Sequence, residues 1–216
     1  MDVCVDVGAN IGVYTLALLS HASKVISAEP HPEYYGTLKS NVELNNLKNI
    51  VRKNIAVTYK KGRATLYARN KDMSNKTATL KNVSGLVKDQ NIETKIEKLT
   101  LDTLSKNEIC INFIKVDTDW SDAEVLLSGK KTIKKHRPVI LLEDLATTAG
   151  HVGWEIKADT RPEYVELYNL VRSLNYELFW VDKNKLVKHM CVGQKLQNCL
   201  AVPSKSSLIS RANSLI

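Results

Sequence analysis

The sequence predicts an α/β fold: one mostly parallel sheet with helices on both faces. Three observations predict it. Short apolar runs of strand length alternate along the chain with segments of helical period. A glycine-containing turn, Gly8 to Gly12, joins the first strand to the first helix. An acid, Glu29, stands at the tip of the second strand.

The elements follow in order. Val3–Val7 is a short apolar strand, and Val13–Leu19 an apolar helical segment. Lys24–Ala28 reads as the second strand. Pro32 suits a first helical position, and Tyr35, Leu38 and Val42 follow at helical spacing through to Leu47. Ile50–Thr58 reads as a third strand, Lys60 to Gly62 as a turn, and Arg63–Ala68 alternates as a strand does. Residues 70–91 are polar and weakly patterned, as expected of a mobile loop, and order resumes at Ile96–Leu104. Ile109–Val116 is a strand with a buried pattern, Asp122–Lys131 a helix with Gly129 near its end, and Val139–Glu143 a strand opened by Pro138. Ala146–Arg161 is a connection, and a helix from Pro162 to Leu174 follows. Tyr176–Val181 and Cys199–Val202 are the closing strands, with 204–216 a tail. One domain over 1–216 accommodates all of this.

At 216 residues, 44% hydrophobic and 25% charged, the chain can bury a core without disulfides or metal. Its apolar runs are too short to span a bilayer as a helix. No basic, apolar leader opens it, so a cytoplasmic, reduced location is expected. Cys4, Cys110, Cys191 and Cys199 lack paired spacing, and the histidines lack ligand spacing, so no metal is expected. The net charge of +8 is uneven. Residues 60–98 and 183–216 each carry +6 and the remainder −4, without the aromatic interleaving of a single-strand stacking platform.

The turn Asp6-Val7-Gly8-Ala9-Asn10-Ile11-Gly12 lies between a strand and a helix, where open α/β sheets bind nucleotide-type ligands. Gly8 admits close approach to the backbone, and Gly12 lets the helix pack against the strand. Ala9 and Asn10 break the dinucleotide pattern, which ranks a dehydrogenase below other readings. Glu29, 17 positions after Gly12, suits the two hydroxyls of a ribose, because a carboxylate accepts both. Pro30 fixes the chain direction beside it.

Asp6 to Gly12, Ser27 to Pro32 and Leu38 to Asn45 resemble the FkbM-type S-adenosylmethionine-dependent methyltransferases. The likeness continues through Asn54 to Val57, Thr100 to Leu104, Ile114 to Leu126, His136 to Glu143, Leu174 to Trp180 and Asn198 to Pro203. The resemblance implies a class I methyltransferase (Rossmann-like) fold, a seven-stranded sheet with one reversed strand. It implies that Asp6, Gly8, Asn10 and Gly12, with Ala9 in the same turn, cradle the methionine end of S-adenosylmethionine. It also implies that Glu29, beside Pro30, holds the ribose, that Asn54, Ile55 and Ala56 flank the adenine, and that Asp117 faces the sulfonium and the acceptor. Two departures stand out. Asp119, Trp120 and Asp122 occupy positions where the family has Glu, Gly and Glu. The first strand also begins almost at Met1, where family members carry a preceding segment.

Methyl transfer to oxygen needs alignment and a base. Asp117, Asp119, Glu143 and His151 are the candidates, and Lys115 lies on the same side of its strand as Asp117. The expected reaction is O-methylation of a sugar or other small-molecule hydroxyl. An RNA methyltransferase using the basic segments, or an inactive cofactor-binding relative, is the alternative.

Overall fold

The computed structural model describes residues 2–69, 78–80, 91–118, 121–143, 151–152, 155–156, 162–182, 185–188, 198–207 and 209. The first half runs β1 (Val3–Val7), α1 (Val13–Leu19), β2 (Lys24–Ala28), α2 (Pro32–Leu44), β3 (Ile50–Lys53), β4 (Ala56–Val57), β5 (Gly62–Arg69), β6 (Ala78–Thr79), β7 (Asn91–Leu99) and α3 (Leu101–Leu104). The second runs β8 (Phe113–Val116), α4 (Asp122–Leu127), α5 (Lys130–His136), β9 (Val139–Glu143), β10 (His151–Val152), β11 (Glu155–Ile156), α6 (Pro162–Ser173), β12 (Tyr176–Asp182), β13 (Lys185–Lys188) and β14 (Asn198–Pro203).

The main sheet has the order β13-β12-β14-β9-β8-β1-β2-β3. Strands β9, β8, β1, β2 and β3 are parallel, whereas β14 runs antiparallel to both β9 and β12. These are the seven strands the sequence implies, with β14 reversed. An eighth, β13, pairs antiparallel on the β12 edge.

Alternate side chains of the central strands feed two cores, because successive residues of a strand point to opposite faces. Val5, Val7, Ile26, Ile114 and Ile140 pack with Leu126, Ile133 and Leu167 from α4, α5 and α6. Cys4 and Val25 pack on the other face with Leu19, Leu38 and Val42 from α1 and α2.

A second sheet, β4-β7-β5-β6, stands beside the first. Its main seam is the β5–β7 pair, antiparallel from Gly62 opposite Lys98 to Arg69 opposite Asn91. The expected third strand, 50–58, is therefore two strands in two sheets. Asn54 explains the break: its Nδ2 donates to the carbonyls of Glu29 (2.8 Å) and Pro30 (3.1 Å), which pins the chain as it leaves β3. β4 then pairs parallel with β7.

The expected helix 122–131 is likewise two helices. Gly129 sits against α3, where an added Cβ would lie 2.4 Å from Leu101 Cδ2. Ser128 Oγ accepts the Leu101 amide at 2.9 Å, and Asp102 Oδ1 accepts the Thr132 amide at 2.8 Å. The short helix α3 thus docks into the break and tethers the first turn of α5. Cys110, expected to be buried, is partly exposed and donates to Asn112 Oδ1. Among the described residues no helix is long and apolar enough to cross a membrane. Residues 70–77, 81–90 and 210–216, which hold most of the expected loop and tail, lie outside the described residues.

Candidate functional site

Strand order reverses between β1 and β8, and ligands of open α/β sheets bind outside the carboxyl ends of strands at such a point. A cavity of about 340 Å³ opens there. Its volume lies within the range of small-molecule sites. The turn after β1, the ends of β2 and β8 and the first residues of α1 line it, together with Ile55, Ala56 and Val57.

The turn is built on two left-handed residues that precede the helix, Gly8 (φ +76°) and Asn10 (φ +51°), and closes on Gly12 (φ +97°). The Gly8 and Ala9 amides both donate to the Ala28 carbonyl, at 3.0 and 3.1 Å, which draws the turn onto β2. A Cβ at Gly8 would lie 1.8 Å from the Asp117 carbonyl oxygen, and one at Gly12 2.5 Å from Leu38 Cδ1. Glycine at these two positions lets the turn lie against β8 and α1 against α2.

Glu29 is 5% exposed and lines the cavity. Its Oε2 accepts the Asn10 amide at 2.7 Å and its Oε1 the His31 amide at 2.8 Å. Burial pushes its carboxyl up to about 7, against the two amides, which favour the charged form. Each oxygen keeps lone-pair capacity beyond the one amide it accepts.

Beneath the turn lies a buried ion cluster. Asp6 and Lys115 are register partners in β1 and β8, so their side chains lie on the same face. Lys115, 4% exposed, points its Nζ at Asp6 Oδ1 (3.4 Å), Asp117 Oδ2 (3.4 Å) and the Gly8 carbonyl (3.2 Å). The Tyr14 ring covers the ammonium at 4.8 Å. Asp6 is fully buried, and its Oδ2 accepts the Thr15 hydroxyl at 2.6 Å. Burial raises the Asp6 pKa above the usual carboxylate range, with Lys115 opposing. The Asp117 side chain is half exposed, at the rim.

Of the residues singled out from the sequence, Gly8, Ala9, Asn10, Glu29, Pro30, Ile55, Ala56, Lys115 and Asp117 line this one cavity. Asp6, Gly12 and Asn54 stand behind it and shape the turn, the helix start and the loop after β2. Asp119 and Trp120 lie outside the described residues, as do the side chains of Glu143 and His151. Asp122, 2% exposed, turns inward and accepts the Thr118 amide (2.9 Å) and hydroxyl (2.7 Å), which fastens the turn after β8.

Tyr14, Tyr34, Leu66, Leu80 and Ser121 also line the cavity and were not singled out as site residues. Leu66 and Leu80 arrive from the second sheet and the segment after β6, which no local motif marks. Tyr34 follows Glu29 by five positions at the start of α2, and no local motif marks it as a cavity residue.

Residues 6–178 match the family described as the methyltransferase FkbM domain. Methyltransferase 1 of Beauveria bassiana (strain ARSEF 2860) is 27% identical over 139 residues, 56% of this chain and 56% of that protein. The chain thus spans little more than half the length of that curated relative. Among solved structures, methyltransferase FkbM from Methylobacillus flagellatus KT superposes with a TM-score of 0.56 at 16% identity, over 93% of this chain and 43% of that one. A Streptococcus mutans protein solved in complex with SAH gives a TM-score of 0.50 at 11% identity, over 93% and 88% of the two chains. At these identities the two structures are alike in fold.

Proposed function

The chain belongs to the FkbM methyltransferase family, with a class I methyltransferase sheet, and on that premise we propose that it methylates a hydroxyl of a sugar or other small molecule, using S-adenosylmethionine. One observation carries this reading. A single cavity at the strand-order reversal has the buried Glu29 on its wall and the half-exposed Asp117 on its rim.

The residues present fit the cofactor. Glu29 offers two oxygens to the ribose hydroxyls, and Ile55, Ala56 and Val57 give an apolar flank to the adenine. The turn at Gly8 to Asn10, with Asp6 and Gly12 shaping it, borders the methionine end. Asp117, half exposed at the rim, would face the sulfonium and the acceptor. S-adenosylmethionine, when bound, supplies an electrophilic methyl group for in-line displacement.

What the chain supplies is alignment and a proton acceptor. Asp117 takes the proton of the acceptor hydroxyl at its exposed oxygen. Lys115 holds the Asp117 carboxylate at 3.4 Å and, through the Gly8 carbonyl, ties the base to the turn. An oxygen acceptor suits a carboxylate on the rim, because the hydroxyl proton must leave as the new bond forms.

Calorimetry with SAH tests the site. The protein is expected to bind SAH at micromolar concentration, and Glu29→Ala to weaken binding by about 10- to 100-fold, the scale of hydrogen bonds to a charged group. Unchanged affinity in that variant overturns the assignment. Asp117→Asn is expected to bind SAH normally and to lower SAH production by about 10²- to 10⁴-fold on any accepted hydroxyl compound. SAH production on RNA alone, with salt-sensitive RNA retention, overturns the acceptor class.

A further inference from the structure

The edge of the main sheet opposite the cavity is where β1, β2, β3, β8, β9 and β12 begin and β14 ends. The connections there are residues 20–24, 44–49, 106–112, 134–138, 172–175 and 203–205, with Asp2 ahead of β1. They carry six Lys and two Arg against two acids, Asp2 and Glu108. Glu43, one residue before the edge in α2, pairs with Arg52 at 3.5 Å. Seven of the eight cations come from the part of the chain whose net charge is −4. The fold collects them from six separate segments, so charge counted along the sequence passes over this edge.

These connections are fastened to one another. Asn49 Nδ2 donates to the Ala22 carbonyl at 2.8 Å. Lys24 Nζ donates to Glu108 Oε1 at 2.7 Å, and Lys135 Nζ to the Glu108 carbonyl at 3.5 Å. Arg137 Nη2 and the Ser204 amide both donate to the Asn175 carbonyl, at 3.4 and 2.9 Å. Two aliphatic side chains stand in water on this edge. Ile109 is 92% exposed and Leu44, which ends α2, 79%; they are the two most exposed large hydrophobic residues among the described residues. A single exposed aliphatic side chain needs no account. Here both share an edge with the cations, and Ile109 directly follows Glu108, where Lys24 and Lys135 meet.

We propose that this edge docks on an anionic lipid bilayer, with its lysines against the headgroups and Ile109 and Leu44 inserted at the headgroup–acyl boundary. Lysine suits that surface, because its stem lies along apolar material while the ammonium reaches a headgroup. Protein interfaces are enriched in Arg and depleted of Lys, whereas Lys outnumbers Arg here six to two. A nucleic acid would use the cations but leave Ile109 and Leu44 in water, and these connections hold no Tyr, Phe or Trp for base stacking. Docked this way, the cavity faces away from the bilayer, beyond five-residue strands such as β1 that span about 17 Å.

Vesicle sedimentation with the full chain tests the edge and needs no cofactor. The chain is expected to sediment with phosphatidylcholine vesicles containing about 30% phosphatidylserine and to stay in solution with phosphatidylcholine alone. Raising salt from about 0.1 M to about 0.5 M should release most of it, because screening shortens the reach of the lysines. Lys106→Gln combined with Lys134→Gln is expected to weaken partitioning by about 30-fold, at about five-fold for each lysine. Lys60→Gln with Lys61→Gln removes the same charge away from the edge and should bind within about two-fold of the parent. Ile109→Ser keeps the charge and should weaken partitioning by about five-fold or more. Absence of sedimentation with the anionic vesicles, equal sedimentation with both lipids, equal losses in the two lysine pairs, or an Ile109→Ser variant that binds like the parent each overturn the proposal. Salt-sensitive retention on RNA without vesicle binding assigns the cations to a nucleic acid and overturns it too. Thermal melts report folding of each variant; if Ile109→Ser does not fold, the lysine pairs decide alone.

Discussion

Both carboxylate oxygens of Glu29 accept backbone amides, yet burial still holds the group near pH 7. Its folded value lies above its ordinary one, so ionising it costs stability. That cost is absent below the ordinary carboxylate range, grows as pH rises and is complete above about 7. Ligand hydroxyls donate to the ionised form, so binding and ionisation favour each other. SAH affinity is therefore expected to rise about ten-fold between pH 6 and pH 8 and to lose that slope in Glu29→Gln, as calorimetry at several pH values would read. A slope that survives Glu29→Gln shows that Glu29 is not its source. The partner of Glu29 was visible in the sequence because both the turn and the acid are local features at a fixed spacing. The Asp6–Lys115–Asp117 cluster was only half visible. Asp117 two positions after Lys115 is a strand-period relation, but Asp6 opposite Lys115 is a register, set by the pairing of β1 and β8.

Two glycines separate backbone need from packing need at the level of the element. At Gly8 both apply: φ is +76°, and an added Cβ meets the Asp117 backbone, which cannot rotate away. Gly8→Ala is expected to cost more than about 2 kcal/mol in chemical denaturation and to abolish SAH binding, since the turn must lift off β8. Gly129 has an ordinary φ of −109°, and the nearest atoms an added Cβ would meet belong to the Leu101 side chain. Gly129→Ala should cost about 1–3 kcal/mol by overpacking. In a Leu101→Ala background the same change should cost at least about 1 kcal/mol less, a coupling a double-mutant cycle measures. An additive result shows that the α4–α5 break does not depend on α3. This break was illegible in the sequence for the same reason. Helical period runs through Asp122–Lys131, and only the docking of Leu101 and Asp102, more than 20 residues earlier, forces the chain to stop and restart. The single strand read over 50–58 failed alike, since Asn54 is turned by carbonyls of the loop after β2. Elements bounded by their own residues, such as Val13–Leu19 and Lys24–Ala28, coincide with the sequence reading.

On the scale of the whole molecule, the uneven charge takes a different meaning. In the described part of the basic segment, the outward face of β5–β7 sets Arg63 opposite Glu97, Thr65 opposite Lys95 and Tyr67 opposite Glu93. Mixed pairs of this kind are a solvated face and give no continuous basic track for a phosphate backbone. The inward face of the same sheet carries Ala64, Leu66 and Ile96, packed with Ala56 and Leu80, and three of these five, Ala56, Leu66 and Leu80, line the cavity. The site therefore joins two sheets that otherwise meet through β4 and the ends of β7. A ligand bound there contacts both and binds only the folded chain, so it should stabilise them together. At 100 times its dissociation constant, SAH is expected to add about 2.7 kcal/mol, a rise of roughly 5–10 °C in melting temperature for a chain of this size. Hydrogen exchange locates that gain. Slowed exchange is expected at amides of β5 and β7 around Leu66 and Ile96 as well as in β1 and β2. Protection confined to β1 and β2 would mean that the second sheet borders the cavity without sharing the ligand, and that its apolar face serves only its own core.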